Sequence, residues 1–329
     1  MARGEGLLDF EIIVADDAST DGSIEELLKR FPDVRVVRHE RREGVSRTKD
    51  LGTQHARGEV LIFLDAHCKP DPGALCGLIA RVAEAEAQAI IAPRIAALDA
   101  DTWEIKRNQV GWAYILDLLT FQTRWVGPSR FQRPDGLLES PALMGCCFAV
   151  SRKLYEEYFG FDRQMLSWGQ EDIDFGLKLR LAGHPLLIDR NLLVGHRFQA
   201  AFNYAVPPEH ELFNKLRMAR RNFSEETWEQ WIRAAQARES SEVWSTAWSL
   251  FEQARESLEH ERSILLKRRV HDEFWYAQRF GLTWPLPSSL GERKAESNSD
   301  VARMLTARRA DVTLPERGSD HSPIRAQNP

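Results

Sequence analysis

Cysteine is scarce in this chain: there are four in 329 residues, with Cys146 and Cys147 adjacent, Cys68 and Cys76 eight apart, and none in C-x-x-C spacing. That pattern argues against a disulfide framework or a structural zinc site and predicts buried free thiols. Long apolar runs are missing too. The longest, such as Val60 to Leu64, fall far short of the roughly 18 to 20 residues a membrane-spanning helix needs. Charge of one sign is not in excess: 44 Lys and Arg stand against 49 Asp and Glu, a net charge of −5 that offers no footprint for nucleic acid. Residues 1–10 hold two acidic residues and no extended apolar segment, which predicts no secretory signal and a cytoplasmic location.

What is present is the composition of a globular protein, 43% hydrophobic and 28% charged. Residues 10–100 alternate short apolar runs with helical patterns, which predicts βαβ units and a largely parallel sheet. Strands are expected near 10–15, 34–38, 59–64 and 89–93, with helices near 22–31, 45–56 and 72–87. Residues 101–140 show no sustained period and read as a loop-rich insert beside a site. Order resumes at Met144 with a strand to Val150, helices near 152–158 and 171–182, and strand segments at 185–188 and 192–194 that lead to His196. Beyond Pro207 and Pro208 the pattern is helical, with Ser224 as an N-cap and Trp228, Ile232, Ala235, Trp244, Trp248 and Phe251 as a packing stripe. The expected division is 1–206 as the main domain, 207–285 as a helical extension and 286–329 as a disordered tail.

The chemistry concentrates at strand ends. Leu61-Ile62-Phe63-Leu64-Asp65-Ala66-His67 is an apolar strand closing in Asp-x-His, and in extended backbone residues i and i+2 project to one side. His196 follows another apolar segment, so Asp65, His67 and His196 are candidate ligands at the sheet edge where open α/β sheets bind ligands. A mixed oxygen and imidazole set suits manganese better than calcium or magnesium. Asp16 and Asp17 close a second strand and suit a ribose hydroxyl or a uracil imide. Arg42, Gly44 and Arg47 lie in a cationic loop that runs into a helix, which suits a nucleotide diphosphate. Trp168, Glu171 and Asp172 stand at a loop-to-helix junction, where paired acids orient a sugar or deprotonate a hydroxyl. Each pattern alone also has a plain structural reading: a turn, a solvated basic face, or acids set against a helix dipole.

Together these motifs resemble the family 2 glycosyltransferases of the A-type fold and their relatives, the polypeptide N-acetylgalactosaminyltransferases. The likeness covers roughly residues 11–200, through VRVVRHERREGVSR at 34–47, LIFLDAHC at 61–68 and VGHRF at 194–198. It implies a mixed sheet flanked by helices with a C-terminal helical extension, and a metal-dependent enzyme that moves sugar from a nucleotide donor, a UDP-sugar, to a hydroxyl of a glycan or glycoconjugate. In that reading Asp65, His67 and His196 hold the metal, and Asp17 and Arg42 contact the nucleotide with Asp16 in support. Trp168 and Glu171 border the sugar and departing phosphate, with acceptor loops near 120–140 and 197–206. Three features depart from the mucin-type enzymes. Gly169-Gln170-Glu171-Asp172 replaces Gly-Gly-Glu-Asn, which makes Asp172 the candidate base, as in inverting family 2 enzymes; Gly145-Cys146-Cys147-Phe148 replaces a Gly-Gly before Phe; and no lectin repeat is visible. The family's first apolar strand is also missing, from which weakened nucleotide binding and an exposed strand edge are expected. The alternative reading is a catalytically impaired, transferase-like interaction protein; a metal-dependent hydrolase would leave the Arg42 loop unexplained.

Overall fold

The computed structural model describes residues 9–127, 131–198 and 204–282, all within one compact unit. The alternating pattern of the first hundred residues appears as β1 (Ile13–Asp16), α1 (Ser23–Arg30), β2 (Arg35–Arg38), α2 (Val45–His55), β3 (Val60–Leu64), β4 (Cys68–Pro70), α3 (Ala74–Glu84) and β5 (Ile90–Leu98). Then come β6 (Ile105–Gly111), β7 (Ala113–Leu116), β8 (Thr123–Val126), β9 (Leu138–Glu139), β10 (Cys147–Ser151), α4 (Arg152–Glu157), α5 (Glu171–Leu181) and β11 (Leu186–His196). Helices α6 (Pro208–Asn222), α7 (Glu225–Gln236), α8 (Ser241–Gln253), α9 (Arg255–Arg268) and α10 (Glu273–Phe280) complete the described chain. None of the described helices is long and apolar enough to cross a membrane.

The main sheet has seven strands, with β3-β10-β5-β11-β4 as its spine and β6 and β9 paired to β5 and β11. It is mixed rather than largely parallel: β5 and β11 run parallel, whereas β10 is antiparallel to both β3 and β5. The βαβ pattern forecasts parallel neighbours only for strands joined by a crossover helix, and β10 enters the sheet through the 101–140 segment instead. That segment is not the loop-rich insert expected, since it supplies β6 through β9. Strands β1 and β2 form a separate parallel pair. Among the described residues β1 has a strand on one side only, and β3 likewise pairs only with β10.

Two apolar cores meet at α5. Phe175 and Leu179 belong to the sheet core with Phe148, Leu186 and Ile188, whereas Ile173, Leu177 and Leu181 face the helical core of Phe213, Leu216 and Trp231. The helix is therefore buried along nearly its whole length, as an element apolar on both faces must be. Trp228, Ala235 and Phe251 are buried in the helical core with Ile232, Trp244 and Trp248 packed against it, and Ser224 caps α7 through the Thr227 N–H. The helical extension expected at 207–285 thus shares a core with Leu116, Phe121 and α5. Charges reinforce the join: Arg217 pairs with Asp162 at 2.6 Å, and Arg221 with Asp162 at 2.8 Å and Asp174 at 2.7 Å, all buried. The 286–329 tail lies outside the described residues.

Candidate active site at the sheet edge

Strands β3 and β11 end side by side in function though not in pairing, and their carboxyl ends deliver the acid and the imidazoles. The segment after β3 is not extended. Cys68 N–H closes a turn onto the Asp65 carbonyl at 3.0 Å, so the turn, rather than strand alternation, brings Asp65 and His67 to one side. Asp65 Oδ2 lies 4.0 Å from Nε2 of His67 and 4.0 Å from Nε2 of His196, and the two Nε2 atoms are 2.9 Å apart. Neighbouring ligands on a first-row ion lie about 3 Å apart, so the imidazoles are already placed and the carboxylate needs a small rotation. Burial, with His67 and Lys49 nearby, pushes the pKa of His196 down to about 4. It is therefore neutral at pH 7 and could accept an ion without first losing a proton. The donor set fits a divalent ion of the manganese type.

Lys49, which has no place among the residues the sequence singles out, occupies the centre of the site. Its ammonium is 3.5 Å from Asp65 Oδ1 and 3.4 Å from Glu171 Oε1, and it donates to the Gly145 carbonyl at 3.0 Å. Burial opposes the charge, but the Asp65 and Glu171 carboxylates outweigh it and hold the pKa above the usual lysine value. Asp172 sits beside them, half-buried. Burial and the adjacent Glu171 carboxylate push its pKa up to about 7. Its Oδ2 accepts the Gly145 N–H at 2.8 Å, and a Cβ at residue 145 would stand 2.6 Å from that oxygen, so only glycine permits the approach.

The Asp16 to Arg47 segment has more structural work than the sequence implies. Asp16 accepts from the Ser19 N–H at 3.1 Å and pairs with Arg38 at 3.0 Å. Asp17 accepts from the N–H groups of Glu43 at 2.6 Å and Gly44 at 3.0 Å, while Arg42 stays 3.9 Å away and exposed. Arg47 donates to the Arg163 carbonyl at 2.5 Å and pairs with Glu43. The close approach that Gly44 permits is to protein: a Cβ there would meet the Ser167 carbonyl oxygen at 2.7 Å. The facing loop carries Trp168, 40% exposed, and is held by Asn214 of α6, which accepts the Leu166 N–H and donates to the carbonyls of Leu166 and Gly169 at 2.8 to 3.0 Å. Tyr204, absent from the sequence-derived set, lies under the Arg42 guanidinium at 4.3 Å. No sequence signal singled it out, because a lone tyrosine after a strand has no periodicity.

Against this geometry, residues 3–159 match the model of glycosyl transferase family 2, and residues 129–191 match the N-terminal domain of galactosyltransferase. Over residues 3–159 the chain is similar to family 2 glycosyltransferases. Human polypeptide N-acetylgalactosaminyltransferase 6 is 33% identical over 223 residues, covering 64% of this chain and 36% of that protein. The rat polypeptide N-acetylgalactosaminyltransferase 10 is 32% identical over 215 residues, covering 63% of this chain and 35% of that protein. The chain thus spans about a third of the length of the curated relatives it matches. The crystal structure of GalNAc-T7 with UDP, GalNAc and Mn2+ superposes with a TM-score of 0.65 at 22% identity, over 82% of this chain and 50% of that one. The described chain therefore has the A-type glycosyltransferase fold, a mixed sheet flanked by helices.

Proposed function

We propose that this chain transfers a sugar from a nucleotide-diphosphate donor, a UDP-sugar, to a hydroxyl of a glycan or glycoconjugate, with a divalent ion of the manganese type held by Asp65, His67 and His196. The observation that carries this reading is the meeting of those three side chains, with ligand atoms within 4.8 Å of one another, at the carboxyl ends of β3 and β11. The donor choice draws support from the relatives and from the UDP and Mn2+ in the GalNAc-T7 crystal. A divalent ion at this set offsets the negative charge that grows on a departing diphosphate.

The chain's own residues supply the rest. Lys49 is a fixed cation between Asp65 and Glu171, so it keeps two carboxylates from repelling an arriving diphosphate. Arg42, exposed over Tyr204, adds positive charge at the rim of the nucleotide side, while Asp17 fixes the 42–44 loop through its backbone. Trp168 offers a partly exposed aromatic face for a sugar. Asp172 takes the acceptor proton: a carboxylate with a pKa near 7 is ionised often enough to accept it and basic enough to draw it away. The test is a panel of nucleotide sugars screened for manganese-dependent release of nucleotide. Release by the native chain is expected, reduced about 100-fold or more in Asp65→Ala. Release that is independent of the metal, or unchanged in Asp65→Ala, contradicts the reading.

A further inference from the structure

The fold gathers a second set of donors against the first. Cys68, Cys146 and His196 offer ligand atoms that all lie within 4.8 Å of one another. Strand register explains the meeting: Cys68 is the cross-strand partner of His196 in the β4–β11 pairing, and the Cys146 carbonyl accepts the Asp65 N–H at 2.9 Å. The Cys68 thiol also contacts that carbonyl, at 3.5 Å, so both sulfurs sit beside the Asp65 turn. Sequence spacing conceals this, because 78 residues separate the two cysteines.

We propose that Cys68, Cys146 and His196 form a thiolate site for a soft divalent ion, zinc or cadmium, and that its occupation withdraws His196 from Asp65 and His67. Tetrahedral zinc, with Zn–S near 2.3 Å and Zn–N near 2.0 Å, places its ligand atoms about 3.5 to 3.8 Å apart, so side-chain rotations of about 1 Å complete the set. Three protein ligands leave a fourth position for water. Both cysteines are half-buried, which leaves them reachable, and each loses its thiol proton to solvent as the ion binds. Sulfur selects zinc or cadmium over manganese, whereas the carboxylate and two imidazoles do not exclude manganese. His196 is common to both sets. A neutral imidazole offers one free lone pair, its other nitrogen carrying the proton, so His196 cannot hold two ions at once and the soft ion expels the hard one.

The experiment is a titration of the full chain with cadmium under reducing conditions, read by the ultraviolet thiolate-to-cadmium charge-transfer band. One saturating equivalent is expected. Cys68→Ser and Cys146→Ser each weaken binding by about 100-fold or more, since loss of even an outer partner commonly costs about 10- to 100-fold. Cys76→Ser leaves the band unchanged. His67→Ala also leaves it, which separates this site from the one assigned to the donor metal. Absence of the band, or its persistence in both the Cys68 and Cys146 variants, overturns the proposal. The readout needs no transfer activity, so it succeeds or fails apart from the proposed reaction.

Discussion

Asp172 and Lys49 share one small volume with Glu171. With its pKa raised to about 7 by burial and by Glu171, Asp172 is expected to make the transfer rate climb with pH through about 7 as its proton leaves. Asp172→Asn should flatten that limb and cut the rate by at least about 100-fold, as measured by initial rates across pH 5 to 9. Lys49→Met leaves the Glu171 carboxylate, 6% exposed, without its ammonium, and is expected to cost about 3 kcal/mol of stability in urea unfolding. An unchanged midpoint would show that water or another cation replaces it. At this scale the sequence is informative where chemistry is local and silent where it depends on packing. Asp65 and His67 announce themselves by standing after an apolar strand. Lys49 does not, because a lysine in a basic segment looks the same whether it faces solvent or a pair of site carboxylates.

The loop from Leu166 to Gln170 is shaped by elements rather than by its own sequence. Ser167 at φ 50° and Gln170 at φ 74° are left-handed without being glycine, a conformation that costs about 1 kcal/mol or more at each and persists only when its surroundings enforce it. Asn214 of α6 enforces it from one side and the Gly44–Val45 backbone from the other. Asn214→Ala should therefore raise the donor KM with a stability loss of about 2 kcal/mol, measured by steady-state kinetics and unfolding in parallel. Helix α6 belongs functionally to the site, although the double proline before it reads as a boundary. Along β11 two apolar segments were expected, and the structure joins them as one strand with a bulge between Asp189 and Leu193, because a bulge interrupts periodicity without ending pairing. Strands β7 to β9 are too short to show a period, and β6, IKRNQVG, carries too few apolar residues to alternate. Hydrogen exchange should find β5 and β10, which have neighbours on both sides, protected far longer than β1, which has one.

Over the whole molecule, the join between sheet and helices rests on apolar packing around α5 and on buried ions. Asp162 is desolvated, yet Arg221 and Arg217 outweigh that cost and hold its pKa well below the usual carboxylate value. Its folded pKa being depressed, the stability it brings is present above about pH 4 and is lost as pH falls further. Asp172 has the opposite sign: its raised pKa means that ionising it between about pH 4 and 7 costs stability. Asp162→Asn should destabilise the chain at pH 7 by about 3 to 5 kcal/mol in urea unfolding and weaken its acid sensitivity. The alternation of strands and helices in the first hundred residues was readable because each element carries its own period. The mixed sheet direction was legible only through the family resemblance and not in that pattern, since an antiparallel β10 is set by the path of the intervening chain. The account stands most directly on a manganese titration of the full chain, followed by the electron paramagnetic resonance signal of the free ion. One ion bound per chain, tighter with UDP present and lost in Asp65→Ala, His67→Ala and His196→Ala, is the result predicted. Binding that survives all three substitutions, or no binding even with UDP, would contradict it.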